Sequence, residues 1–258
     1  MSVKPKKSLG QNFLNDANTV SKIVRHLRAS KNDQVIEIGP GTGVLTEELI
    51  NKFEDLTVIE IDDRLSELLH KKFPKLRIIK NDVLKVNWLN IINTHKSVYV
   101  IGNLPYYITS PILFTLLDNH ALFEGALLMM QKEVAKRLIA KPRTKDYGIM
   151  SVQVQMMSTV KYEFTIPRNV FYPVPKVDSA IVSFAFNKPP LECELSHFKI
   201  VVRTAFNQRR KKLRNALKSI IPKDYDLPVD LNRRAEELTP QEFKDLTILL
   251  EDSGILSN

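Results

Sequence analysis

The chain has 258 residues, 43% of them hydrophobic, and a formal net charge of +9. That length buries one substantial core and leaves room for a smaller appended domain, while the excess of Lys and Arg points to a polyanionic partner without choosing which. A single cysteine, Cys193, excludes an internal disulfide framework; no long apolar segment resembles a signal peptide or a membrane span, so the expected location is the cytoplasm.

In chain order, a basic arm with Lys4, Lys6 and Lys7 is suited either to meet phosphate or simply to be solvated. An amphipathic helix is predicted around Thr19 to Leu27, then a β-branched core strand, Gln34-Val-Ile-Glu-Ile38. Gly39-Pro-Gly-Thr-Gly43 turns the chain into a helix that Thr42 is expected to cap and that packs through Val44, Leu45, Leu49 and Ile50. Leu56 to Glu60 supplies a second strand, and Asp62 or Asp63 begins the next helix. Apolar runs at Leu76 to Ile79, Ser97 to Ile101 and Ala126 to Met130 extend the strand-helix alternation. The expected class is therefore α/β, an open parallel sheet with helices between its strands.

Later strands are expected at Val160 to Ile166 and Ser179 to Phe186, separated by a proline-stiffened segment from Phe171 to Ser179. Asn187-Lys-Pro-Pro190 reads as a linker, because it interrupts both strand pairing and helix growth. Helices at His197 to Phe206, Arg210 to Ile221 and Pro240 to Leu250 complete a small helical domain. The domains are thus expected at 1–187 and 188–258.

A glycine turn directly after a strand brings backbone and a helix N-terminus close to a dinucleotide or another adenosine-bearing cofactor. Its GxGxG spacing lacks the last glycine of the usual dinucleotide fingerprint, which favours S-adenosylmethionine over NAD. Glu60, one strand-helix unit on, ends a strand where a carboxylate can accept both ribose hydroxyl hydrogens. Asp82 after the third strand is suited to an adenine amino group and Val83 to its ring, unless Asp82 only caps a surface turn.

Asn103-Leu104-Pro105-Tyr106 comes directly after the hydrophobic run Val98 to Ile101 and Gly102. The Asn103 side-chain oxygen and the Leu104 carbonyl can accept the two hydrogens of adenine N6, whose lone pair is otherwise delocalised into the ring. Tyr106 can stack on an extruded base, and Phe171 is either a second apolar wall or a core residue.

With these residues in view, the chain resembles the small-subunit ribosomal RNA adenine-N6,N6-dimethyltransferases of bacteria and eukaryotes. The matching stretches are Leu9 to Leu14, Glu37 to Gly43, Val58 to Asp62, Asn103 to Tyr107, Gln131 to Val134, Tyr172 to Ser179, Phe206 to Arg214 and Arg234 to Leu238. The resemblance implies a Rossmann-like class I methyltransferase domain with a mostly parallel seven-stranded sheet, and a small C-terminal helical domain. It also implies methylation of two adjacent adenosines near the 3′ end of small-subunit RNA, with S-adenosylmethionine leaving as S-adenosylhomocysteine. By resemblance the donor site includes Gln11, Asn12, Leu14, Gly39 and Gly41 at one end. Glu60, Ile61, Asp82, Val83 and Asn103 complete it. Asn103, Leu104 and Tyr106 are the implied catalytic set, with Tyr106 and Phe171 stacking the target base. Tyr107 stands where many members of that family carry asparagine. The implied partner is the RNA of an immature small subunit, met by a monomer with no membrane association.

From Arg203 to Lys218 the chain is basic without an intervening acid, and phosphate contact is expected from Lys6 and Lys7 of the arm and from Arg209, Arg210, Lys211, Lys212 and Arg214. Lys132 to Lys145 holds a second basic region. The five histidines are scattered and imply no metal site. Two rival readings remain at this point, a noncatalytic ribosome-assembly factor and an NAD-dependent oxidoreductase.

Overall fold

The structure is a computed structural model that describes residues 3–222, 225 and 228–256, with the backbone alone at Lys7. Phe13–Leu14 (β1) is a short strand ahead of the helix Ala17–His26 (α1), whose first turn is capped by Asp16 accepting the Thr19 N–H at 2.7 Å. Gln34–Ile38 (β2) is buried along its whole length, as its β-branched run requires of a central strand. Val44–Lys52 (α2), Asp55–Glu60 (β3), Asp63–Lys72 (α3), Arg77–Lys80 (β4) and Val98–Asn103 (β5) continue the alternation. Thr109–Asp118 (α4), Gly125–Gln131 (β6), Lys132–Leu138 (α5), Ile149–Met157 (α6) and Thr159–Ile166 (β7) come next. Phe171–Tyr172 (β8), Ser179–Ala185 (β9), Leu195–Asn207 (α7), Leu213–Ala216 (α8) and Pro240–Asp252 (α9) complete the chain.

The main sheet has seven strands in the order β4-β3-β2-β5-β6-β9-β7. Pairs β3–β4, β2–β3, β2–β5 and β5–β6 are parallel, and β6–β9 is antiparallel. The architecture is therefore a Rossmann-like α/β fold with a mostly parallel sheet, together with a C-terminal helical region. After β3 and β4 build outward on one side of β2, the chain crosses to lay β5 on its other side. This switch point leaves a crevice beyond the carboxyl ends of β2 and β5. A separate two-stranded ladder pairs Phe13 with Tyr172 and Leu14 with Phe171.

By its contacts the chain divides into two compact units, residues 1–135 with 161–186, and residues 136–160 with 187–258. The expected single cut after residue 187 is corrected by this division. Residues 136–160 join the second unit because α6, apolar on most of its surface, packs against α7 and α9. Within that unit Tyr147 is buried and donates its hydroxyl hydrogen to the Leu238 carbonyl at 2.8 Å.

Two local expectations also change. Helix α2 starts at Gly43, whose φ of +80° gives it a left-handed N-cap with no side-chain bond, so Thr42 does not cap it. The helix expected over Arg210 to Ile221 shrinks to Leu213–Ala216. There the Leu213 and Arg214 N–H groups donate to the Arg233 and Leu231 carbonyls, and Lys212 forms a bridge with Arg234, so the backbone is diverted from helix to a distant segment.

Candidate active site

A cavity of about 260 Å³ opens at the switch point, within the first unit. Gly39 and Gly41, just past the end of β2, form its floor with φ of +68° and +59°. Gly41 lies under the Phe13 ring, where a Cβ would sit 3.1 Å from two ring carbons, so both backbone shape and space favour glycine. Glu60, at the end of β3, is buried beside this turn. One carboxylate oxygen accepts the Gly41 N–H at 3.3 Å and the other the Asp62 N–H at 2.9 Å. Burial raises its pKa above the ordinary carboxylate value, against the opposing pull of these N–H groups.

The segment Lys6–Phe13 passes along the cavity as a strap tied at several points. Asp62 is buried and accepts from Lys6 Nζ at 3.2 Å, from Gln11 Nε2 at 3.1 Å, and from Arg64 Nε and Nη2 at 3.0 and 2.7 Å. The Arg64 guanidinium in particular holds its carboxyl well below the usual range. Gln11 Oε1 accepts the Lys6 N–H at 2.7 Å, and Asn12 Nδ2 donates to the Gly10 carbonyl at 3.1 Å. The Asn12 carbonyl accepts Asn103 Nδ2 at 3.0 Å.

That last bond orients the Asn103 carboxamide. Its nitrogen is committed to the strap, so its oxygen is the end left to accept a hydrogen from a ligand. Leu104 is buried, donates its N–H to the Met129 carbonyl at 3.0 Å, and lines the same cavity. Pro105 holds the backbone at φ −58° and leads into a short 3₁₀ turn, Tyr106–Ile108. The Tyr106 hydroxyl lies 2.7 Å from Ser179 Oγ, and burial raises its pKa above the ordinary tyrosine value. The ring therefore stays neutral near pH 7 and its orientation is fixed.

Of the residues expected at the donor site, all but Leu14 line this cavity, as do the expected catalytic residues Asn103, Leu104 and Tyr106. Asp82 is partly used within its own turn, where Oδ1 accepts the Leu84 N–H at 3.0 Å, and Val83 is buried beside it. Leu14 and Phe171 lie elsewhere. They are cross-strand partners on one face of the β1–β8 ladder, and both side chains are buried in the hydrophobic core. Of the two readings of Phe171, apolar wall or core residue, its burial and its place in the core cluster favour the second.

The expected phosphate contacts separate into two groups. Lys6 is drawn to Asp62, and the Lys7 side chain lies outside the described residues. Arg209 clamps its own unit, with Nε 2.6 Å from Glu236 Oε2 and its two terminal nitrogens donating to the Lys145 and Thr144 carbonyls at 2.8 and 3.0 Å. Arg210, Lys211, Lys212 and Arg214 remain exposed, Lys212 with a long 3.4 Å contact to Asn232 Oδ1. Sequence reasoning did not find the role of Asp62, which it used only as a helix start, nor that of Gly10. The only local signal was a carboxylate two residues after Glu60.

Fold and cavity together define a Rossmann-like methyltransferase, whose methyl donor is S-adenosylmethionine. The family model described as "Ribosomal RNA adenine dimethylase" matches residues 2–252, and the chain belongs to that family. It is 45% identical over 253 residues to the "Ribosomal RNA small subunit methyltransferase A" of Chlorobium chlorochromatii, covering 96% of this chain and 95% of that one. It is 43% identical to the protein of the same name from Porphyromonas gingivalis, covering 97% and 99%. Among solved structures it is similar to a dimethyladenosine transferase from Plasmodium falciparum, with TM-score 0.77 and 25% identity over 94% of this chain and 98% of that one. It is also similar to the 23S rRNA methyltransferase ErmE, with TM-score 0.69 and 26% identity over 93% and 99%. No helix among the described residues is long and apolar enough to cross a membrane.

Proposed function

We propose that this chain transfers methyl groups from S-adenosylmethionine to N6 of two adjacent adenosines near the 3′ end of small-subunit ribosomal RNA. The names of its curated relatives support the small subunit as the source of the RNA. The observation that carries the chemistry is the Asn103 carboxamide, fixed by the Asn12 carbonyl and set beside Leu104 and Tyr106 in one cavity.

S-adenosylmethionine supplies an electrophilic methyl carbon on a cationic sulfur. The chain's residues fit such a donor. The turn at Gly39 and Gly41 admits close approach without side chains, and Glu60 is a buried carboxylate suited to two ribose hydroxyls. Asp82 and Val83 serve the donor's adenine, the former through the carboxylate oxygen its own turn does not engage. At the acceptor, Asn103 Oδ1 and the Leu104 carbonyl accept the two N6 hydrogens and turn a more localised lone pair toward the methyl. The Tyr106 face stacks the extruded base and offsets part of the unstacking cost, at about 1–3 kcal/mol per base. No strong base is needed, and the neutral Tyr106 does not supply one. The exposed Arg210, Lys211, Lys212 and Arg214 position phosphate rather than read sequence.

We place this reaction in the cytoplasm, on an immature small-subunit particle, with the chain acting as a monomer. The test is incubation of immature small subunits with labelled methyl donor, and then mass-spectrometric location of the product. Dimethylation of two neighbouring adenosines near the 3′ end is expected; unchanged adenosines despite confirmed donor and RNA binding would refute the assignment.

A further inference from the structure

Two tyrosines, one lining the cavity and one paired across the short ladder with a cavity residue, are unusually open for aromatic residues. Tyr107 is 57% exposed and Tyr172 62% exposed, although rings of this size ordinarily bury most of their surface. Tyr107 lines the cavity and its ring packs over Gly10, where a Cβ would stand 2.9 Å from Cδ1. Tyr172 is the cross-strand partner of Phe13, another cavity residue, and alternation puts both side chains on one face of the ladder, opposite to buried Leu14 and Phe171. Beyond Tyr172 the loop exposes Val174, Lys176 and Val177. This loop is held in shape. Arg168 Nη1 donates to the Lys176 carbonyl at 3.2 Å, Asp178 Oδ1 accepts the Arg168 N–H at 3.2 Å, and Ser179 bonds the Tyr106 hydroxyl.

We propose that Tyr107 and Tyr172 form an aromatic rim on which the two nucleotides flanking the extruded adenine stack. The inference rests on the reading of the substrate as an RNA adenine and extends it to the neighbours of that base. Extruding one base leaves the nucleotides on either side with an uncovered face, and an exposed ring beside the cavity supplies a replacement surface that accepts any base. Lys176, exposed in the same loop, offers a charge for the connecting phosphate. Because the substrate adenosines are adjacent, one flanking position is itself the next target, so a rim holding it keeps that base close to the cavity between transfers.

The experiment is a binding cycle in the presence of S-adenosylhomocysteine. The full chain and its Tyr107→Ala, Tyr172→Ala, Tyr107→Phe and Tyr172→Phe variants are titrated with an RNA hairpin carrying the two adenosines, and with hairpins abasic on one or the other side of the target. Circular dichroism checks that each variant is folded. Wild type should lose roughly 5- to 150-fold in affinity for an abasic flank, the range of one base stacked on an aromatic ring. Each alanine variant should lose a similar factor on intact RNA and become indifferent to the abasic position on its own side, while the phenylalanine variants stay within about twofold of wild type. Wild type that does not distinguish abasic from intact RNA, or alanine variants that feel the abasic change as wild type does, would overturn the rim. A positive cycle with no methyl transfer to small-subunit RNA would instead overturn the functional reading and leave the rim standing.

Discussion

Replacing Asp62 by asparagine keeps the shape of the buried side chain and its ability to cap α3, but removes the charge on which the strap is tied. The carboxylate accepts five hydrogen bonds, from the Arg64 N–H, Arg64 Nε and Nη2, Gln11 Nε2 and Lys6 Nζ. Asparagine offers one acceptor oxygen. Set where Oδ1 stands, it still serves Lys6 and two of the Arg64 donors, but its NH₂ then faces Gln11 Nε2 and Arg64 Nη2, donor against donor. Gln11 cannot recover the bond by turning its amide over, because its Oε1 already accepts the Lys6 N–H at 2.7 Å. Bonds to a charged group contribute about 1.5–3 kcal/mol each. The Lys6 and Arg64 side chains are 45% and 41% exposed, so the lower end applies and the loss is about 2–3 kcal/mol. That corresponds to a fall in Tm of roughly 4–12 °C for a protein of this size. Because the Asp62 pKa is depressed in the fold, its contribution is present above the ordinary value of 3.8 and is lost as pH falls through the lower folded value, so the two proteins converge in strong acid. Urea titrations at pH 7 and pH 3 read the stability, and calorimetry with S-adenosylhomocysteine reads donor affinity, expected to weaken about tenfold or more as the strap loosens. A variant that loses stability yet binds donor as wild type does would refute the strap as part of the donor site.

Asn103→Ala should lower the rate of transfer to RNA by about 100-fold or more while leaving S-adenosylhomocysteine binding within about fivefold, since its proposed catalytic contact is to the acceptor; equal losses in both measurements would count against that role. Glu37 is buried, accepts the Thr46 hydroxyl hydrogen at 2.7 Å, and has its pKa pushed up to about 8, chiefly by desolvation. The folded chain therefore holds a proton that the unfolded chain has lost between about pH 4.5 and 8, and stability falls with rising pH across that window. Glu37→Gln should remove this slope in pH-dependent urea titrations, with its advantage over wild type growing toward pH 8; parallel curves would show that Glu37 ionises as an ordinary carboxylate. Arg209→Ala should lower the urea midpoint by breaking the Glu236 clamp, whereas Arg210→Ala with Lys211→Ala should leave the midpoint unchanged, weaken RNA binding and reduce its salt slope by about two. The reverse pattern would restore Arg209 as an RNA contact.

What was legible in the chain was local. β-branched runs ending in glycine or a carboxylate marked β2 and β3, and the proline after Asn103 and Leu104 marked a strand end, because these patterns need no distant partner. The segment Arg210 to Ile221 failed for the opposite reason. Its helix-forming lysines, arginines and leucines are overruled by backbone bonds to Leu231 and Arg233, about twenty residues away. The fates of Phe171 and Tyr172 turned on strand parity, which the proline-rich segment alone does not display. Only pairing with Phe13 and Leu14, more than 150 residues earlier, decides which ring enters the core and which stays outside.

The same distinction explains why the proposed donor and acceptor halves of the site meet at Asn103. The local pattern assigns this carboxamide to the acceptor because Leu104, Pro105 and Tyr106 come directly after it. The structure adds the other end of the group, the nitrogen bonded to Asn12 in a strap that also reaches Asp62 and covers Gly41 through Phe13. An amide with one end satisfied by the chain cannot turn over without leaving that carbonyl unpaired and presenting a donor where an acceptor is needed. The order of the strap thus fixes which atom of Asn103 faces the cavity, and in the proposed reaction that atom meets the target nitrogen. In the proposed reaction a strap that settles around the donor prepares the acceptor side by the same bond, which would link donor binding to base orientation through two residues ninety-one positions apart.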